Sequence, residues 1–214
     1  MRLVTVSLII LMLASAPLIE SNAGGTNPCA SRADEPLSRF FFAIGDYYRI
    51  SQREIIIIRE RGIPAYEIPV VLLIAKRAHV EPEIVMDFRL RGSTWLHAAL
   101  RFGLGPEIFY VPVGRVVAKD SLYGKAYSDY RHKPKKEWKK IVLNDDNIVN
   151  LVNLKLISEY YGYPPEKIIK MRSGGKEFFS INDEIRKEEA NTGYQGEEEI
   201  RAKSERVQKK KEIE

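Results

Sequence analysis

One sequence pattern occurs three times in this chain: ISQREIIIIRERG at residues 50–62, VEPEIVMDFRLRG at 80–92 and YPPEKIIKMRSGG at 163–175. In each copy an apolar or aromatic residue precedes a helix start, an arginine follows nine residues after it, and a glycine closes the unit three residues later. The three copies align without gaps. The pattern therefore predicts three short helices of one design.

The ends of these helices carry capping signals. Ser51 and Glu54 have the spacing of a capping box, in which each side chain satisfies a backbone N–H of the first turn. Pro82 and Pro165 stand at the equivalent first helical position, where a missing N–H costs nothing. Apolar residues recur one turn apart within each copy, so we expect one face to pack inward.

A longer apolar segment precedes each copy and is predicted to form the helix on which it docks. The isoleucine run at 55–58 also has strand propensity, but the caps and the recurrence favour helix. Ser93–Phe102 is predicted as a further short helix. The predicted first helices are Pro36–Tyr48, Ile68–Ala78 and Asp145–Tyr161, the last capped by Asp145 or Asp146. The fold class that follows is all-α, built from helical hairpin repeats: two units in 37–111 and a third in 141–182.

The pattern YGYPPExIIxMRxGG at 161–175, with its relatives at 50–62 and 80–92, resembles the short helical-hairpin repeat of uncharacterised exported bacterial proteins. The resemblance covers about half of the chain that follows the N-terminal segment. It implies export and a helical fold. It carries no named activity and therefore no catalytic or binding residue.

The N-terminal segment has the order of parts of a secretory signal peptide. Arg2 precedes an apolar run, and Ser21 and Ala23 supply the small residues expected before a cleavage site. We predict cleavage after Ala23, a flexible linker at 24–36, and a periplasmic or extracellular protein with no transmembrane span after cleavage. Cys29, the single cysteine, is expected to be a free thiol in that linker.

The charge of the chain is concentrated in one segment. The 214 residues include 34 Lys and Arg against 29 Asp and Glu, a formal net charge of +5. Residues 112–140 alone hold nine basic and three acidic residues. With 44% hydrophobic residues, the composition excludes collagen-like, disulfide-rich and polytopic membrane proteins.

Residues 112–140 are predicted as a long basic and aromatic connector. A connector of this length is either functional or disordered. The functional interpretation is a site for an anionic partner, a cell-envelope component or an acidic protein face, with aromatic rings adding contact. The alternative is a solvated loop whose tyrosines close over the core. The predicted binding residues are Tyr123, Lys125, Tyr127, Tyr130, Arg131, Lys133, Lys135, Lys136, Trp138, Lys139 and Lys140.

Catalytic, metal-binding and cofactor motifs are not found in the sequence. The three histidines lack metal-ligand spacing, and no phosphate-binding loop or nucleophile elbow occurs. The predicted protein is therefore a binding or adaptor protein without catalytic residues, metal or cofactor, and no nucleic-acid partner is expected. Two alternatives stay open: an envelope enzyme acting on cell-wall glycan through Trp95, His97 and a carboxylate, and a periplasmic chaperone-like protein with an exposed apolar face.

The repeated arginines and the C-terminus have structural interpretations. Arg59, Arg89 and Arg172 recur near predicted helix ends, where a cation is favoured by the helix dipole and bonds the last carbonyls. Residues 183–214 include 18 charged residues and few large apolar ones, which predicts a disordered or fraying helical tail.

Overall fold

The computed structural model describes residues 35–114, 117–118 and 121–191. Within these ranges the chain forms helices and no strands, which confirms the all-α prediction. The predicted signal peptide, residues 24–34 of the linker and residues 192–214 of the tail lie outside the described residues. The helices are α1 (Glu35–Tyr48), α2 (Gln52–Glu60), α3 (Ile68–Ala78), α4 (Pro82–Leu90), α5 (Trp95–Arg101), α6 (Gly124–His132), α7 (Asp145–Tyr161) and α8 (Pro165–Ser173), with 3₁₀ turns at Pro106–Phe109 and Lys135–Lys140.

The three short helices α2, α4 and α8 begin and end at equivalent positions of the sequence pattern. Each has nine residues and starts at the third position of its copy. The capping box is present, since the Ser51 hydroxyl accepts from the Glu54 amide at 3.2 Å and the Ser51 amide donates to the Glu54 carboxylate at 2.8 Å. The capping box therefore fixes the start of α2, whereas α4 and α8 start at Pro82 and Pro165 without a side-chain cap.

The residue before each copy ends the preceding long helix in the left-handed conformation. Arg49, His79 and Gly162 have φ values of 61°, 55° and 61°. In each case the next amide donates to the carbonyl five residues back, at 3.0–3.1 Å, as in a Schellman termination. Only Gly162 lacks the Cβ that disfavours this conformation. The long helix thus turns within three residues into the short helix packed beside it.

Helix α7 lies at the centre of the protein and contacts α1, α3, α5 and α8. Its apolar residues are buried around its circumference, so it has no broad solvent-facing side. Asn153, fully buried, donates its amide to the Tyr66 carbonyl at 2.8 Å. The third long helix therefore packs against both earlier long helices rather than against one neighbour only.

The N-terminus of α7 corrects the predicted cap. The Asn144 side chain, not Asp145 or Asp146, accepts from the Asn147 amide at 2.8 Å. Asp145 instead accepts from the Trp95 amide at 2.8 Å and from Arg89 at 2.6 Å. Asp145 therefore pairs with residues far away in the sequence and does not cap its own helix.

The first residues of the predicted tail, 183–191, continue a helix that begins at residue 178. Residues 178–191 are helical, and Phe178, Ile181 and Ile185 are fully buried. Asp183 lies 2.6 Å from Arg39 of α1. The three buried residues are three and four positions apart, so they lie on one helix face. The high average charge of 183–214 hid the contribution of Ile185 to this face.

Candidate anion-binding surface

The segment predicted as an irregular connector contains a helix fixed by buried tyrosines. Tyr127 and Tyr130 of α6 are each 3% exposed. Their hydroxyls donate to the carbonyls of Val111 at 2.8 Å and Pro106 at 2.6 Å. Burial raises the pKa of both phenols well above the ordinary value, so they remain hydrogen-bond donors.

Trp138 fixes the chain that follows α6. Its indole ring packs against Tyr110 and Tyr130, with centroid distances of 4.6 and 4.9 Å. The indole N–H lies 3.1 Å from the carbonyls of both Tyr130 and Lys133. The turn at Lys135–Lys140 is therefore held against α6 at a defined position.

This packing corrects the aromatic part of the predicted site. Tyr123, Tyr127 and Tyr130 are buried and cannot offer ring faces to a partner. The three tyrosines are four and three positions apart, as residues on one face of a helix are. This spacing in the sequence predicts that they pack together into the core. Trp138 is partly buried.

The cations of the predicted site remain accessible. All are exposed except Lys133, which is intermediate. Lys125 lies 2.9 Å from Asp129, so its charge is paired locally. The other six follow one another within ten residues, where Glu137 is the single acidic residue, 3.7 Å from Lys140. We call these six the cationic ridge: Arg131, Lys133, Lys135, Lys136, Lys139 and Lys140.

Two of the repeated arginines stabilise the fold. Arg89 donates to the Ser93 carbonyl at 3.3 Å and Arg172 to the Lys176 carbonyl at 3.0 Å, in each case four residues further along the chain. Each guanidinium also lies over a buried aromatic ring six residues further on: Arg89 is 4.9 Å from the Trp95 ring centroid and Arg172 is 4.8 Å from that of Phe178. These contacts support the structural interpretation of both arginines.

The residues of the alternative enzymatic site are not brought together. Trp95 is fully buried beneath Arg89, whereas His97 is exposed on the solvent side of α5. Within the described ranges, no group of three or more His, Cys, Asp or Glu side chains could hold a metal ion. No helix among these residues is long and apolar enough to cross a membrane.

Sequence reasoning missed a cleft at the C-terminal ends of α1, α3 and α7. Its volume is about 370 Å³. The residues come from three helices separated by up to 112 positions, so no local motif could indicate it. The lining residues are Tyr47, Tyr48, Leu73, Lys76, Arg77, His79, Lys155 and Glu159.

Comparison with protein-family models, with curated proteins and with solved structures finds no match to this chain.

Proposed function

We propose that this protein is an exported, non-enzymatic binding or adaptor protein of the bacterial cell envelope, and that it contacts an anionic partner through the cationic ridge. The observation that carries the proposal is the ridge itself: six cations at the end of α6 and on the turn that follows it, where packing of Trp138 against Tyr130 holds the chain in place. A fixed arrangement loses less conformational entropy on binding than a flexible loop of the same charge.

The magnitude of the electrostatic attraction is sufficient for surface binding. Each Lys or Arg near an anionic surface contributes about 1 kcal/mol, so six cations supply on the order of 6 kcal/mol before the cost of association. The six positions span only ten residues, and the Debye length is about 8 Å at physiological ionic strength. Successive ridge cations are at most three positions apart, so the fields of neighbouring cations overlap at this screening length.

The location in the envelope is part of the proposal. It is supported by the order of charged, apolar and small residues at 1–23 and by the resemblance of the repeated pattern to exported proteins. We also propose that the three helix pairs α1–α2, α3–α4 and α7–α8 are copies of one unit. The aligned helix bounds and the aligned left-handed residues Arg49, His79 and Gly162 support that interpretation.

Co-sedimentation tests the ridge. The protein is mixed with vesicles containing anionic lipid, with neutral vesicles and with isolated cell-wall sacculi, at increasing salt. We expect binding to an anionic surface that falls steeply as salt rises. The preferred surface then distinguishes a lipid partner from an anionic wall polymer. In the test variant five ridge residues are changed to Gln: Lys133, Lys135, Lys136, Lys139 and Lys140.

A charge-matched control separates the ridge from net charge. It changes five exposed cations outside the ridge to Gln: Arg49, Arg53, Arg61, Arg91 and Arg101. We expect the control to bind like the unmodified protein and the ridge variant to lose at least tenfold in affinity. Equal loss in both variants, or no binding to any anionic surface, contradicts the proposal.

A further inference from the structure

The cleft at the C-terminal ends of α1, α3 and α7 has an excess of positive charge. Lys76 and Arg77 are exposed at its rim, and neither has an acidic partner within ion-pair distance in the part of the chain that the structure describes. The Lys76 ammonium lies 6.0 Å from the ring centroids of both Tyr47 and Tyr48. Among the described residues, these two cations line the cleft without an acidic partner.

The one carboxylate of the cleft is already engaged. Glu159 accepts a hydrogen bond from the Tyr47 hydroxyl, and its other oxygen lies 3.2 Å from the Lys155 ammonium. The Lys155 side chain is only 14% exposed, so this pair is held close to the protein interior. Glu159 thus compensates Lys155 and leaves the charges of Lys76 and Arg77 in excess.

Backbone dipoles do not remove this excess. The C-terminus of a helix carries about half a negative charge, which favours cations such as Lys76 and Arg77 in the last turn of α3. However, the N-terminus of α4 begins at Pro82, three residues after His79, and it carries a partial charge of the opposite sign. The C-termini of α1 and α7 also adjoin the cleft, and α2 and α8 begin within four residues of those ends with the opposite partial charge. Even three uncompensated helix C-termini carry only about 1.5 negative charges, less than the two positive charges of Lys76 and Arg77.

Tyr47, Tyr48 and Leu73 form the aromatic and apolar part of the cleft, and its other five lining residues are charged or polar. Tyr48 is 8% exposed and Leu73 is 3% exposed, so both form a closed floor. A volume of about 370 Å³ lies within the usual range of small-molecule sites, about 300–1,000 Å³. A compact dianion carrying a flat organic group matches a cationic rim above such a floor. We propose that this cleft binds a phosphate monoester, with the phosphoryl group between Lys76 and Arg77 and the organic group against the partly exposed ring of Tyr47.

Isothermal titration calorimetry tests the proposal with three probes: phenyl phosphate, inorganic phosphate and benzyl alcohol. The titrations are run at pH 8, where a phosphate monoester carries two negative charges because its second pKa is about 6. We expect saturable binding of phenyl phosphate, at least threefold weaker binding of inorganic phosphate and no binding of benzyl alcohol. Arg77→Gln is expected to weaken phenyl phosphate binding by tenfold or more, and Lys76→Gln by at least threefold.

Arg101→Gln is the matched control, because it removes one exposed arginine at the end of α5, outside both the cleft and the cationic ridge. We expect this variant to bind phenyl phosphate like the unmodified protein. The proposal is overturned if phenyl phosphate does not bind, if it binds no better than inorganic phosphate, or if Arg101→Gln weakens binding as much as Arg77→Gln. The cleft and the ridge share no residue, so either proposal can fail without the other.

Discussion

Replacing Arg89 with Met should destabilise the protein strongly, because one guanidinium joins four parts of the fold. Arg89 forms a bidentate pair with Glu67, at 2.8 and 2.9 Å, and contacts Asp145 at 2.6 Å. It also donates to the Ser93 carbonyl and lies over the ring of Trp95. The hydrogen bonds to Glu67 and Asp145 raise the pKa of the guanidinium, which stays charged at every accessible pH.

The expected magnitude follows from the burial of the three charged side chains. Breaking a fully buried ion pair costs about 3–5 kcal/mol. The exposed fractions here are 24% for Arg89, 15% for Glu67 and 28% for Asp145, so water can partly rehydrate the carboxylates. With that screening, we expect Arg89→Met to lower the free energy of unfolding by about 2–3 kcal/mol. Met keeps most of the apolar contact of the side-chain stem.

Urea denaturation followed by circular dichroism measures this change. Arg91→Met is the matched control, because Arg91 is 77% exposed and lies 3.6 Å from Asp87. We expect this control to lower the free energy of unfolding by less than about 0.5 kcal/mol, as is usual when a surface ion pair is removed. A double-mutant cycle with Glu67→Gln should show a combined loss smaller than the sum of the single losses. If Arg89→Met costs no more than Arg91→Met, the reasoning about this network is refuted.

Two further predictions concern pH and backbone conformation. Burial raises the pKa of Asp183, but contacts with Lys187 and Arg39 outweigh it and lower the pKa below the usual aspartate value. The stability from this carboxylate is therefore present above its unfolded pKa and is lost as pH falls through the lower folded pKa. Asp183→Asn should be less stable than the unmodified protein at pH 7, with the two stabilities converging towards pH 2; a constant difference in urea midpoints across that range argues against this linkage. Both Gly162 and Arg49 have positive φ, a conformation that glycine adopts more easily than other residues. Gly162→Ala should therefore lower the free energy of unfolding by about 1 kcal/mol, and Arg49→Gly should leave it unchanged or raise it by up to about 1 kcal/mol. Thermal melting measures both changes, and effects of the opposite sign would contradict the conformational argument.

The short helices could be predicted from the sequence because their boundaries depend on nearby residues. Ser51 and Glu54 cap one of them through contacts that span three positions. The role of Asp145 could not be predicted this way. Asn144 and Asp145 are adjacent and both are suitable caps, and the choice depends on Arg89 and Trp95, about fifty residues away.

One candidate site could be predicted from a single segment of the sequence, whereas the other depends on residues that only the fold brings together. The ridge lysines were predicted because their charge is evident from composition, whereas the burial of the neighbouring tyrosines required attention to their helical spacing. Lys76 and Lys155 line one cleft although 79 positions separate them in the chain. Helix packing alone brings them together, and no pattern within one segment carries that information.

The central position of α7 has a consequence for the order of folding. Helices α1 and α3 lie against an element that starts at Asp145, so their apolar surfaces stay incomplete while the polypeptide is still short. Contacts such as Tyr47 with Glu159 close loops of more than one hundred residues, and such closure slows folding relative to contacts between neighbours. A nascent chain of about 140 residues therefore lacks the centre of its core, and cooperative folding waits until α7 has been synthesised.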